Sequence, residues 1–224
     1  MRKKVQLAIF IFSAILLANS VVCFSADLPS DYDLFIPENL SAGKNLPLLI
    51  CLPAIGDNRS DEIENWKLPA AKHGFVVICP KLDYGKIKKI ADVKSLNHRI
   101  KKIVKEVSSE YSIDPKRVFI AGTSAGGMFA ISLTLLSPEQ YGATGVIRGA
   151  RLNFVTAQSL ENAWKCRFYL VHGQGDSFIP IKEYYDTKWQ LKKRGAFIEE
   201  NVDPGYKPLS EPEYEEVTAW FAKL

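Results

Sequence analysis

Arg117-Val118-Phe119-Ile120-Ala121-Gly122-Thr123-Ser124-Ala125-Gly126-Gly127-Met128 is the stretch that decides the fold of this chain. Its first five residues are β-branched and aromatic, the composition of a strand buried on both faces. The residues from Met128 to Leu136 form a helix-compatible apolar run. Between the two, Gly122-Thr123-Ser124-Ala125-Gly126 sets a serine between glycines at a change from strand to helix. That context separates a nucleophile elbow from a chance G-x-S-x-G: the turn is too tight for bulk beside the serine, whose hydroxyl is left exposed above the sheet. Without that context the same residues read as a small-residue turn at a helix start.

Working outward, the sequence predicts strands over 32–36 and 46–52, a loop over 53–58, and a helix over 61–72 stopped by Gly74. A strand over 75–79, closed by Pro80, precedes a helix over 93–111 that leads into the elbow strand. Downstream, 145–149 is a weaker strand candidate and 167–171 a strong one. A helix over 181–193, a last strand over 196–202 and a closing helix over 211–224 complete the order. Strands alternating with helices predict a single α/β domain over 26–224, a mostly parallel sheet with helices on both faces. No fixed-period repeat or low-complexity linker divides it.

Residues 1–25 stand outside that domain. Arg2, Lys3 and Lys4 precede an apolar run from Val5 to Val22, and small residues follow at Ser25 and Ala26. This order predicts a secretory signal peptide and a secreted or periplasmic destination. An uncleaved membrane anchor is the competing reading of a run this long. Cys23 follows two valines, a poor lipid-attachment context. After cleavage no membrane span is expected. Without the three leader cations the formal net charge of +4 falls to about +1, which gives no case for a nucleic-acid partner. The lysine-rich stretch 86–105 carries Ile87, Ile90, Val93, Leu96, Ile100, Ile103 and Val104 at helical spacing, so it reads as the solvated face of a core helix. Cys51, Cys79 and Cys166 each lie in or beside a predicted strand and read as buried thiols. Cys51 and Cys79 sit on strands that can be neighbours and could cross-link in an oxidising compartment. No ligand spacing points to zinc or another metal, and no cofactor is expected. Oligomeric state is not legible.

Two segments carry a family resemblance: Ile113-Asp114-Pro115 through Met128, and His172-Gly173-Gln174-Gly175-Asp176-Ser177-Phe178-Ile179-Pro180. The mature chain resembles the α/β-hydrolase superfamily over nearly its whole length. It is most similar to small secreted esterases of the feruloyl-esterase, polyhydroxybutyrate-depolymerase, dienelactone-hydrolase and phospholipase/carboxylesterase types. The resemblance implies a carboxylic ester substrate, small or polymeric. It makes Ser124 the nucleophile of an acyl-enzyme and Asp176 the acid that supports the base. The Ala125 N–H and a second N–H from the loop after Leu52, that of Ile55, would form the oxyanion hole. The alternative role of Asp176 is a turn or N-cap carboxylate before Pro180.

The sequence departs from this pattern in two places. The order serine, acid, histidine calls for an imidazole after the last strand, yet Asp203-Pro204-Gly205-Tyr206-Lys207-Pro208 contains none. Tyr206 stands at the family position, Lys207 beside it, and His172 ends the strand before the acid loop. A phenol with a pKa near 10 is a poor base at neutrality. Many members of the resembled family carry His-Gly where this chain has Pro53-Ala54, which adds a side chain where backbone approaches the reacting oxygen. Two functions follow: a secreted serine ester hydrolase, or a catalytically impaired relative that binds a ligand without turnover.

Overall fold

The computed structural model describes residues 31–38, 40, 45–205 and 211–224. The leader over 1–25, Tyr206 and Lys207 lie outside the described residues. Seven strands form one sheet: β1 (Tyr32–Phe35), β2 (Leu46–Leu52), β3 (Val76–Pro80), β4 (Ile113–Thr123), β5 (Thr144–Ile147), β6 (Arg167–Gly173) and β7 (Phe197–Asp203), in the spatial order β1-β3-β2-β4-β5-β6-β7. Only the β1–β3 pairing is antiparallel, and every other neighbour runs parallel. The helices are α1 (Arg59–His73), α2 (Ile90–Glu110), α3 (Ala125–Leu136), α4 (Ala157–Leu160), α5 (Ile181–Lys193) and α6 (Glu211–Phe221), with short 3₁₀ turns at Tyr84–Lys86 and Glu161–Lys165.

Alternation along the central strands builds two cores. Leu48, Ile50 and Leu52 of β2, Val76 and Ile78 of β3, and Val118 and Ile120 of β4 face the helix pair α2 and α3. The intervening Leu49, Cys51, Val77, Cys79, Phe119 and Ala121 face α1 and α6, where they meet Trp66, Val217 and Phe221. A period of two on strands that are apolar at every position is what a sheet covered on both faces requires. A third cluster joins β6 to α3 and α5 through Phe168, Leu170, Ile131, Tyr184 and Leu191. The lysine-rich helix behaves as its spacing predicts, burying Val93, Leu96, Ile100 and Ile103 and turning its lysines outward. Gly74 ends α1 at φ 75°, a left-handed cap that glycine adopts without steric cost.

Among the described residues no helix is long and apolar enough to cross a membrane. Nor do any three or more His, Cys, Asp or Glu residues there form a group able to hold a metal ion. Cys51, Cys79 and Cys166 are buried free thiols. Because β2 and β4 to β7 are parallel, the loops that follow them share one edge of the sheet. In open α/β sheets, ligands bind at that carboxyl edge.

Candidate active site at the carboxyl edge of the sheet

Ser124 is the joint between β4 and α3, with φ 52° and ψ −116°. This is a strained conformation for a residue with a Cβ, and it typically costs about 1–3 kcal/mol. Surrounding contacts hold it there: its N–H donates to the Ile147 carbonyl at 2.8 Å, and its own carbonyl accepts from Met128 N–H at 3.2 Å. The flanking glycines answer a space requirement. A Cβ on Gly122 would sit 2.2 Å from the Gly126 carbonyl carbon, and one on Gly126 would sit 2.0 Å from the Leu52 carbonyl oxygen. The strand, the turn and the loop after β2 therefore touch backbone to backbone. Ser124 makes no side-chain capping bond to α3. Ala125, whose N–H the family pattern makes an oxyanion donor, is the first helical residue and is buried.

The loop carrying Pro53-Ala54-Ile55 leaves β2 over this turn. Asp57 N–H bonds the Ala54 carbonyl at 3.3 Å, and Asn58 then caps α1 by accepting from Asp61 N–H at 2.9 Å. Tyr84 pins the loop from the side, its hydroxyl donating to the Pro53 carbonyl at 2.6 Å while its ring stacks on Phe129 of α3 at 4.9 Å. Ile55 is 70% exposed.

Two strands further along, Asp176 lies in the loop after β6, on the same edge as Ser124. Its Oδ1 accepts the N–H groups of Phe178 at 2.8 Å and Ile179 at 2.9 Å, the turn-forming role open to this carboxylate. His172, the penultimate residue of β6, is 1% exposed. Its Nε2 lies 2.9 Å from the Ile179 carbonyl and its ring stacks on Tyr184 at 5.0 Å. Burial lowers its pKa, so the neutral ring donates from Nε2 to Ile179 and clamps the acid loop; Nδ1 is buried without a partner. The other imidazoles are engaged elsewhere. His73 pairs with Glu215 of α6 at 2.9 Å, and His98 is exposed on α2. None of the three is bonded to the Ser124 hydroxyl.

Four contributors escape a reading of the sequence alone, Tyr84 on the Pro53 carbonyl being the first. Gly149, beyond β5, passes so close to the elbow that a Cβ there would lie 2.3 Å from the Ser124 carbonyl oxygen. Arg148 beside it, at φ 50° and buried, donates Nε and Nη2 to Glu213 Oε1 of α6 at 3.0 and 2.8 Å. Glu62 of α1 is 1% exposed beneath the elbow. Its Oε1 accepts from Trp66 Nε1 at 2.8 Å, and Oε2 has no partner. Burial pushes the Glu62 pKa up to about 7, against smaller opposing contributions from Trp66, Thr123 and Asn65. Tyr84 and Gly149 stand in unremarkable local sequence. The one signal for Glu62 is its spacing, a carboxylate one position before the apolar Ile63 and four before Trp66.

A family model described as phospholipase/carboxylesterase matches residues 81–213. The chain is 32% identical over 101 residues to a bifunctional acetylxylan esterase/xylanase of Neocallimastix patriciarum, covering 44% of this chain and 15% of that protein. It is 38% identical over 96 residues to a protein of Oryza sativa subsp. japonica named "Probable inactive carboxylesterase", covering 40% and 37% of the two chains. These matches therefore span well under half of either relative. Among solved structures, a thermostable esterase superposes with a TM-score of 0.69 at 20% identity, over 86% of this chain and 58% of the other. At that identity the likeness is one of fold.

Proposed function

Because the chain belongs to the phospholipase/carboxylesterase family of α/β-hydrolases, we propose that it is an exported carboxylic ester hydrolase acting through an acyl-enzyme on Ser124. The observation that carries this reading is the strained turn at Ser124, over-determined by backbone contacts and set on the same edge as Asp176. A fold with no use for a serine at this turn has no reason to retain a residue at this φ and ψ.

In this reading Ser124 Oγ attacks the ester carbonyl, the alcohol leaves, and water releases the acid from the acyl-serine. The Ala125 and Ile55 N–H groups receive the charge developing on the carbonyl oxygen. Tyr84 serves the same step indirectly by holding the Pro53 carbonyl, and so the path of the loop that presents Ile55. The substrate is a carboxylic ester on a small molecule or a polymer, and the relative named for acetylxylan favours the polymer. Export rests on the basic, then apolar, then small-residue order of residues 1–25.

A second reading, ligand binding without turnover, is favoured by one observation: each imidazole is committed elsewhere or exposed on α2, so no histidine is bonded to Ser124 to take its proton. The two readings separate on hydrolysis of 4-nitrophenyl acetate by the full chain and by Ser124→Ala, together with covalent labelling by a fluorophosphonate. Turnover and labelling that vanish in Ser124→Ala support the hydrolase. Wild-type hydrolysis no faster than Ser124→Ala, with the folded chain still retaining an ester ligand, supports the binding protein.

A further inference from the structure

We propose that Cys51 and Cys79 are a disulfide-forming pair that staples β2 to β3 at the root of the loop that passes over the elbow. The pairing of β2 with β3 is parallel and runs Leu48 with Val76, Leu49 with Val77 and Ile50 with Ile78. The next pair along the two strands is Cys51 and Cys79. Both side chains enter the same cluster beneath α1 and α6, and both residues are fully buried. Cys51 Sγ reaches across to the carbonyl of Ile78, the residue next to Cys79 on β3, at 3.5 Å. Neighbouring strands lie about 4.7–4.9 Å apart, within the Cα separations that disulfides span. Cys166 belongs to a different cluster, against β6 and α5, and bonds the Asn162 carbonyl at 3.4 Å. It serves as an internal control.

The step is a thiol–disulfide exchange with a small disulfide such as oxidised glutathione. One cysteine, as thiolate, attacks a sulfur of that disulfide and expels one thiol. The second cysteine then attacks the mixed disulfide and expels the other. Two cysteine thiols and one disulfide become one protein disulfide and two small thiols, so the protein loses two electrons and the glutathione gains them. Burial of both thiols in the finished fold places this step before α1 closes over the strands. An exported chain folds in a compartment where such oxidants prevail. The bond would fix Cys51 next to Leu52, whose carbonyl oxygen abuts Gly126.

The test is peptide mapping of the full chain, refolded from denaturant in an oxidised/reduced glutathione buffer, blocked with an alkylating agent in denaturant, and digested with trypsin without reductant. Expected is a species joining peptide 45–59, which holds Cys51, to peptide 73–81, which holds Cys79, with Cys166 alkylated. That species persists in Cys166→Ser and is absent from Cys51→Ala and from Cys79→Ala. Full alkylation of both Cys51 and Cys79 after oxidative refolding overturns the proposal. So does linkage of either cysteine chiefly to Cys166 or to glutathione. The readout needs neither ester hydrolysis nor export, so its outcome is independent of the proposed function.

Discussion

Replacing Ser124 by glycine should make the protein more stable than replacing it by alanine, although both changes remove the nucleophile. The reasoning rests on φ 52° and ψ −116° at that residue. Alanine keeps a Cβ and therefore keeps the strain, typically about 1–3 kcal/mol. Glycine has no Cβ and relieves it, but loses about 0.5–1 kcal/mol through the greater freedom of the unfolded chain. The hydroxyl makes no capping bond, so its deletion contributes little to the comparison. The close approaches at Gly122, Gly126 and Gly149 are unchanged by either substitution. The net advantage of Ser124→Gly over Ser124→Ala then lies between about 0 and 2.5 kcal/mol, with about 1 kcal/mol at the middle of both ranges. For a chain of this size that middle value amounts to about 2–4 °C in melting temperature. Differential scanning calorimetry of both variants and the wild type, at one pH and one concentration, measures it. A glycine variant that melts at or below the alanine variant would refute the idea that the elbow stores strain.

Other substitutions test the surrounding groups. Asp176→Asn keeps an oxygen able to accept from Phe178 and Ile179 N–H and should fold with a melting temperature near wild type, whereas Asp176→Ala strands the buried Ile179 donor and the part-buried Phe178 donor and should cost about 1–3 kcal/mol; equal melting temperatures for the two variants by thermal circular dichroism would contradict the turn role. Glu62 has a folded-state pKa of about 7 against an ordinary 4.5, so the folded state holds its proton more tightly, and stability contributed below pH 4.5 is lost as pH rises from 4.5 to 7. Glu62→Gln should therefore gain on the wild type over that window, by about 3 kcal/mol at pH 8, and parallel urea-unfolding curves for the two proteins from pH 4.5 to 8 would count against it. Tyr206→His should raise hydrolysis of a short aryl ester by about 10²–10⁴-fold if the missing base is the deficit; an unchanged rate in a folded variant counts against that position as the seat of the base.

The cost of the site is distributed over several chain segments. Ser124 and Arg148 hold positive φ angles, while Glu62 and His172 each bury a polar atom without a partner. Such departures collect where a protein holds a constellation that local preference alone would relax. Here they surround the carboxyl ends of β4, β5 and β6, and α1 beneath the elbow.

The sequence by itself determined that this is an α/β domain with a serine at a strand-to-helix turn. Two-residue alternation and turn chemistry are local properties, and Gly122 and Gly126 bracket Ser124 within five residues. It also identified Asp176 as a carboxylate following a strand, Gly74 as a helix stop and 86–105 as a core helix with a solvated face. Where elements begin was less legible: α3 starts at Ala125 rather than Met128, because packing of Gly126 against Leu52 overrides the poor helix propensity of two glycines. Likewise β4 starts at Ile113, ahead of Pro115, because Ile113 pairs with Leu46 across a register shift. Only the tertiary structure decided what surrounds the serine. Tyr84 on the Pro53 carbonyl, Gly149 against the Ser124 carbonyl, Glu62 under the elbow and Cys51 beside Cys79 join segments from about 25 to 60 residues apart. Their meeting depends on strand order and on which face each helix covers. The same holds for His172: its place before the acid loop is written in the sequence, but its bond to Ile179 exists only because the loop folds back over β6.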